Sequence, residues 1–196
     1  MKNYKKLIIL LAIICLCVAI ISFALIYAKY TTSADGQTSM PIAKWNILVN
    51  NLSIKEQSDI SATLQPVFLG NENIASNIIA PTSEGYFDLN FDYTDVDVSF
   101  KYTITLQASS QSSVSDIVAY GYSIDNGSIQ EFSNYNENIT DTIPLSETNR
   151  TRNIRIYVKW NDDETANMDN SQDTESSLSG NPALFDVSIT FDQVIA

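Results

Sequence analysis

Hydrophobic and polar positions alternate over long stretches of this 196-residue chain. In residues 86–93, Phe87, Leu89 and Phe91 alternate with Asp88, Asn90 and Asp92. In residues 95–106, Val96, Val98, Phe100, Tyr102, Ile104 and Leu106 alternate with Asp97, Ser99, Lys101, Thr103 and Thr105. A period of two puts every apolar side chain on one face of an extended strand, whereas a helix would scatter them around its circumference. The short link at Thr94 predicts that these two strands pair as a hairpin or step between sheets.

The same period recurs elsewhere. Trp45, Ile47 and Val49 mark a strand over 42–50, and Ile154, Ile156, Val158 and Trp160 one over 152–160. Phe185, Val187, Ile189 and Phe191 mark the last, over 184–194. Residues 62–69 read as a strand interrupted by Pro66, which suits an edge or a bulge. Residues 117–124 and 128–132 flank Asp125, Asn126 and Gly127, a strong hairpin signal. Residues 80–85 and 109–115 carry turn and loop chemistry, and residues 161–182 read as a 22-residue acidic loop. No stretch reads as a soluble amphipathic helix. Eight or nine strands with one wet face predict an all-β fold, a two-sheet antiparallel jelly-roll-like sandwich over residues 41–196.

The N-terminus follows another rule. Lys2, Lys5 and Lys6 precede residues 7–27, which hold 21 positions without a charge. A basic head before such a run is an export signal, and residues 1–28 are expected to be a signal peptide or membrane anchor. At about 1.5 Å per residue the run can cross a ~30 Å hydrocarbon core, yet the small residues Ala28 and Ala34 offer cleavage sites. Cleavage is favoured over a retained anchor. Cys15 and Cys17 lie inside the run and read as small membrane hydrophobes. Residues 29–40 form a polar extended arm. No apolar tail follows residue 191, so the N-terminal run is the only membrane contact expected.

Composition narrows the function. Three of the 11 basic residues lie in the leader, leaving 8 against 23 acidic ones, a net charge of −15 on the remainder. Such a surface repels nucleic acid and anionic lipid. The chain has no histidine, and both cysteines lie in the leader. A zinc hydrolase, a Ser-His-Asp triad and a Cys-His pair are excluded as usually built, so no catalytic and no metal-ligating residue is assigned. An exported domain without disulfides must rest on core packing alone, which fits a bacterial protein.

Four constellations remain. Asp162, Asp163, Glu164, Asp169 and Asp173, with Glu175, Asn161, Asn167 and Asn170, offer the hard oxygen ligands that calcium takes, but without EF-hand spacing; a solvated loop is the favoured reading and no cofactor is expected. Asp88 with Asp92, and Asp95 with Asp97, could act as carboxylate pairs in glycoside hydrolysis, but charged strand faces that discourage unwanted sheet stacking are favoured. The aromatic residues could line a sugar-binding face, yet Trp45, Phe87, Phe91, Phe100 and Trp160 fall on inward phases. Tyr93, Tyr120, Tyr122 and Tyr135 remain as candidate contacts. Last, the arm residues Lys29, Tyr30, Thr31, Thr32, Ser33 and Ala34 could pair with an open sheet edge of another subunit, with Asp35 and Gly36 ending the strand.

Three segments carry a resemblance: IYAKYTTSAD with PIAKWN, APTSEGYFDLNFDYTDVDVSFKYTIT (80–105), and IYVKWNDD (156–163) before the acidic stretch. Together they resemble exported Gram-positive proteins of the TasA/camelysin type, which a dedicated SipW-like signal peptidase processes. The resemblance implies a jelly-roll domain that polymerises into extracellular biofilm-matrix fibres at the cell surface, the N-terminal arm of one subunit completing the sheet of the next. The chain departs from TasA in lacking an FFSD-type mature start. The protease activity attached to camelysin is not carried over, because no zinc-protease motif is present.

The expected function is therefore a secreted, non-enzymatic fibre subunit. Its expected partners are copies of itself, other matrix or cell-surface components and a signal peptidase. The alternative is a membrane-anchored binding or fibre-accessory module that does not polymerise.

Overall fold

The computed structural model describes residues 4, 6, 13–18, 20, 42–54, 59–163 and 168–194. It divides into two compact units, Met1–Ile42 and Ala43–Ala196. In the first, residues 13–18 are helical and Cys15 and Cys17 are free thiols. Among the described residues no helix is long and apolar enough to cross a membrane. Most of the 7–27 run and the whole of the 29–40 arm, with Ala28 and Ala34, lie outside the described residues.

The second unit is two antiparallel sheets packed face to face. Its strands are β1 (Trp45–Val49), β2 (Leu52–Ser53), β3 (Asp59–Leu64), β4 (Val67–Phe68), β5 (Glu84–Val96) and β6 (Phe100–Ala108). They continue with β7 (Ile117–Ile124), β8 (Gln130–Glu131), β9 (Ile139–Ile143), β10 (Thr151–Trp160) and β11 (Phe185–Gln193). The first sheet runs β2-β1-β5-β10-β7-β8, with β4 also on β5, and the second runs β3-β11-β6-β9.

The alternation decides which face is inside. Phe87, Leu89, Phe91 and Tyr93 of β5 are buried, as are Ile154, Ile156, Val158 and Trp160 of β10. They meet Phe100, Tyr102, Ile104 and Leu106 of β6 and Phe185, Val187, Ile189 and Phe191 of β11. Rings interlock between the sheets: Phe91 packs edge-on against Tyr102 and Phe191 at 5.3 and 5.4 Å, and Trp45 and Tyr93 both pack on Phe100. Each large apolar side chain removed from water contributes about 1.5–3 kcal/mol, which is how a cysteine-free body holds together. Tyr93, expected as a contact residue, is core.

Several expectations are corrected in detail. The link expected at Thr94 falls instead at residues 97–99, since Thr94 lies inside β5; of the two expected outcomes it takes the step between sheets, because β5 and β6 lie in opposite layers. Pro66 does not interrupt one strand. It sits buried between β3 and β4, which belong to different sheets. Eleven strands are described instead of eight or nine; β2, β4 and β8 span only two residues each, too few to show a period. Strand β9 escapes the pattern because Asp141 takes the inward phase between Ile139 and Ile143. That carboxylate meets Arg152 of β10 at 2.7 Å, an ion pair joining the two sheets.

The hairpin at 125–127 forms, with its turn one residue early. Asp125 and Asn126 take positive φ (49° and 60°), and the Gly127 N–H donates to the Ile124 carbonyl at 2.8 Å, as in a type I′ turn. The acidic stretch is not a loop throughout: it holds helix α1 (Asn170–Ser179). Asp169 caps it, accepting from the Ser171 and Gln172 N–H groups, while Gln172 accepts from the Asp169 N–H. Gly180 ends it with φ 66°.

Candidate functional site

Two concave features stand out. The first is a slot of about 100 Å³ between the sheets, lined by Val49, Asn50 and Leu52 on one side and Ile60, Ala62, Leu64, Val187 and Ile189 on the other, with Leu89 behind. It exists because β3 ends the second sheet and β1 with β2 ends the first, so the layers part there. Strand β3 pairs with β11 alone among the described residues, leaving one side of its backbone without a strand neighbour. Leu52, at the mouth of the slot, is 62 % exposed.

Asn50 explains why the adjoining edge of β5 holds without a continuous neighbour. With φ 47° it opens the β1–β2 turn, and its carboxamide acts as a short piece of strand. Its Oδ1 accepts the Asn90 N–H at 2.9 Å and its Nδ2 donates to the Asp88 carbonyl at 3.2 Å. Those groups lie on β5 between the ground covered by β4 and that covered by β1.

The second feature is a groove of about 490 Å³ on the outer face of the first sheet. Its floor is Tyr86 of β5, Tyr157 of β10 and Tyr120 of β7. Tyr86 and Tyr157 stand directly across the β5–β10 ladder, and the Tyr120 and Tyr157 rings lie 6.1 Å apart. Glu84 stands at one side and accepts from the Tyr120 hydroxyl at 3.3 Å. Burial, joined by the repulsion of the Glu84 carboxylate, pushes the Tyr120 phenol up to about 12. Leu69, Ile74, Ile78 and Ile129 form the walls.

Of the expected contact tyrosines, Tyr120 therefore joins this groove. Tyr122 stacks on Phe132 and donates to Gln130, and Tyr135 lies under the Lys159 ammonium at 4.8 Å. Tyr86, Tyr157 and Glu84 were missed. The signal was present: Tyr86 and Tyr157 occupy the outward phase beside Phe87 and Ile156, where a wet face needs no aromatic ring.

The carboxylate pairs are engaged in structure. Asp88 receives Arg155 in a two-pronged bond at 2.8 and 2.9 Å, and that guanidinium lies 3.9 Å over the Tyr86 ring. The Thr94 N–H and hydroxyl hold the Asp92 carboxyl below its ordinary value. Asp95 meets the Lys44 ammonium and Asp97 accepts the Lys44 N–H.

In the acidic segment, Glu164 and Asn167 lie outside the described residues. Asp163 accepts from the buried Asn161 at 3.1 Å, and Asp169 is occupied as the helix cap. Desolvation and the nearby Asp162, Asp116 and Asp169 carboxylates push Asp173 up. Asp116, itself buried, accepts the Met168 N–H at 2.5 Å and so ties the segment to β7. Among the described residues no group of three or more acidic or cysteine side chains has the arrangement to hold a metal ion.

No protein-family model matches the chain, and no curated protein matches it.

Proposed function

We propose that this chain is an exported, non-enzymatic subunit of an extracellular fibre, a jelly-roll-like body behind an N-terminal signal helix. Signal peptidase cuts after Ala28 or Ala34 and frees the arm. That arm adds as a strand beside β3 of the next copy; a cut after Ala28 leaves it with Lys29, Tyr30, Thr31, Thr32, Ser33 and Ala34, whereas a cut after Ala34 removes all six and starts it at Asp35. Main-chain hydrogen bonds worth about 0.5–1.5 kcal/mol each give the affinity, and side chains entering the inter-sheet slot set the register. The slot is the observation that carries this reading: an apolar opening between two sheet ends, beside a strand with one free side. The resemblance to biofilm-matrix proteins of Gram-positive bacteria points the same way.

Electron microscopy of the processed protein tests it. Filaments are expected from the intact processed chain and none from a chain lacking residues 29–38. Leu52→Asp, which puts a charge at the mouth of the slot, should also prevent them. Equal filament formation by all three overturns the reading. Mass spectrometry of protein from its own cells reads the N-terminus, and an intact Met1 would favour the anchored, non-polymerising alternative.

A further inference from the structure

The outer face of the first sheet has no part in that assembly, yet it is built with care. A half-buried row of three tyrosines crosses three adjacent strands on the side away from the core. Outward positions of a soluble sheet are filled at least cost by Thr, Lys or Glu, so core packing does not account for the row. Tyrosine supplies broad, stiff, amphipathic contact area, as recognition surfaces require.

The wall opposite Ile129 is preformed. Gly70 takes φ 73°, and a Cβ there would lie 2.6 Å from the Ile74 carbonyl oxygen. The Asn71 Oδ1 accepts from the Asn73 and Ile74 N–H groups, the Ser76 hydroxyl donates to the Leu69 carbonyl, and the Asn77 N–H donates to the Phe68 carbonyl. This loop is therefore tied to β4 at both ends. Tyr86 is held by Arg155, which covers one face of its ring and is itself clamped on Asp88. Little ordering remains for a ligand to supply.

We propose that this groove binds an uncharged oligosaccharide. A pyranose chain presents flat C–H faces and a rim of hydroxyls. The tyrosine floor matches the faces; Asn71, Thr82, Ser83 and Glu84 along the lining match the rim. Glu84 is the one carboxylate of the lining. Lys159, which faces it across the ladder, lies over Tyr135 instead. With Oε2 taken by Tyr120, Oε1 is left to accept from a sugar hydroxyl. The lone negative charge, on a chain of net charge −12, turns away anionic glycans. A volume of about 490 Å³ lies within the range of small-ligand sites.

Calorimetry with the dispersed full chain in detergent tests the groove whether or not filaments form. The probes are cellohexaose, mannohexaose and chitohexaose, with a galacturonate hexamer and a proline-rich decapeptide beside them. At least one neutral hexasaccharide should bind and the galacturonate should not. Tyr157→Ala should weaken binding about tenfold or more. Ile129→Glu, on the exposed wall, should weaken it as well, while Thr142→Ala on the other sheet should not. Failure of all three neutral hexasaccharides to bind overturns the proposal. So does binding by the decapeptide alone, or undiminished binding by both groove variants.

Discussion

Tyr102 offers a sharp test of the core. Its ring is fully buried and packs edge-on against Phe91. Its hydroxyl lies beside the Arg152 guanidinium, yet neither it nor the Arg152 Nε, both shielded from water, has a hydrogen bond of full geometry. Tyr102→Phe keeps the ring and removes the hydroxyl. A buried hydroxyl without a well-aligned partner costs about 1–3 kcal/mol, so the variant should be more stable by about 1 kcal/mol at pH 7 and melt roughly 2–4 °C higher.

The gain should grow with pH. Burial pushes the Tyr102 phenol up to about 12, outweighing the pull of the Arg152 cation. In the unfolded chain it ionises near 10. Below pH 10 both states hold the proton and the group adds no pH dependence. Between 10 and 12 the unfolded chain sheds it first, so wild-type stability falls as pH rises. At pH 11 the loss from this group alone is about 1.4 kcal/mol. Urea unfolding followed by circular dichroism at pH 7, 9, 10 and 11 should show the gap between variant and wild type widening by that amount. A variant less stable than wild type by more than about 1 kcal/mol at pH 7 would refute the reasoning, because the hydroxyl would then be making a bond that matters. A gap that stays constant with pH would refute it equally.

Two further outcomes follow from the surroundings of Arg152 and Gly121. Arg152→Met severs the link to Asp141 and Glu147, and the half-exposed Asp141 keeps its water, so the cost should be about 1–2 kcal/mol in urea unfolding and should shrink at high salt. Gly121→Ala places a Cβ 2.8 Å from the Gln130 carbonyl oxygen and should cost about 1–3 kcal/mol, with amide hydrogen exchange rising first in β8.

How much of this was legible in the sequence depends on length and phase. Strands β5, β6, β10 and β11 announced themselves, because each buries four or more large side chains at period two. Two-residue strands carry no period, and β9 hid behind an inward Asp141 that is solvated by an arginine from another strand. Helix α1 was hidden by composition, since nothing apolar marks a face on it. Its caps were written plainly in Asp169, Gln172 and Gly180. The groove was half legible: Tyr120 stood out, while Tyr86 and Tyr157 were read with the strands that carry them. The slot could not be read at all, because it depends on which strands end each layer, and local alternation says nothing about sheet order.

That order also sets the sequence of events in folding. Strand β11 lies between β3 and β6 in the second layer, yet it is made after both. A polypeptide delivered N-terminus first therefore carries the flanks of that layer with an empty lane between them until β11 arrives. Closure is a late, long-range event, slow by its topology. Chains cut short by even ten residues would be left with an open layer and an exposed hydrophobic interior, and quality-control proteases should find them.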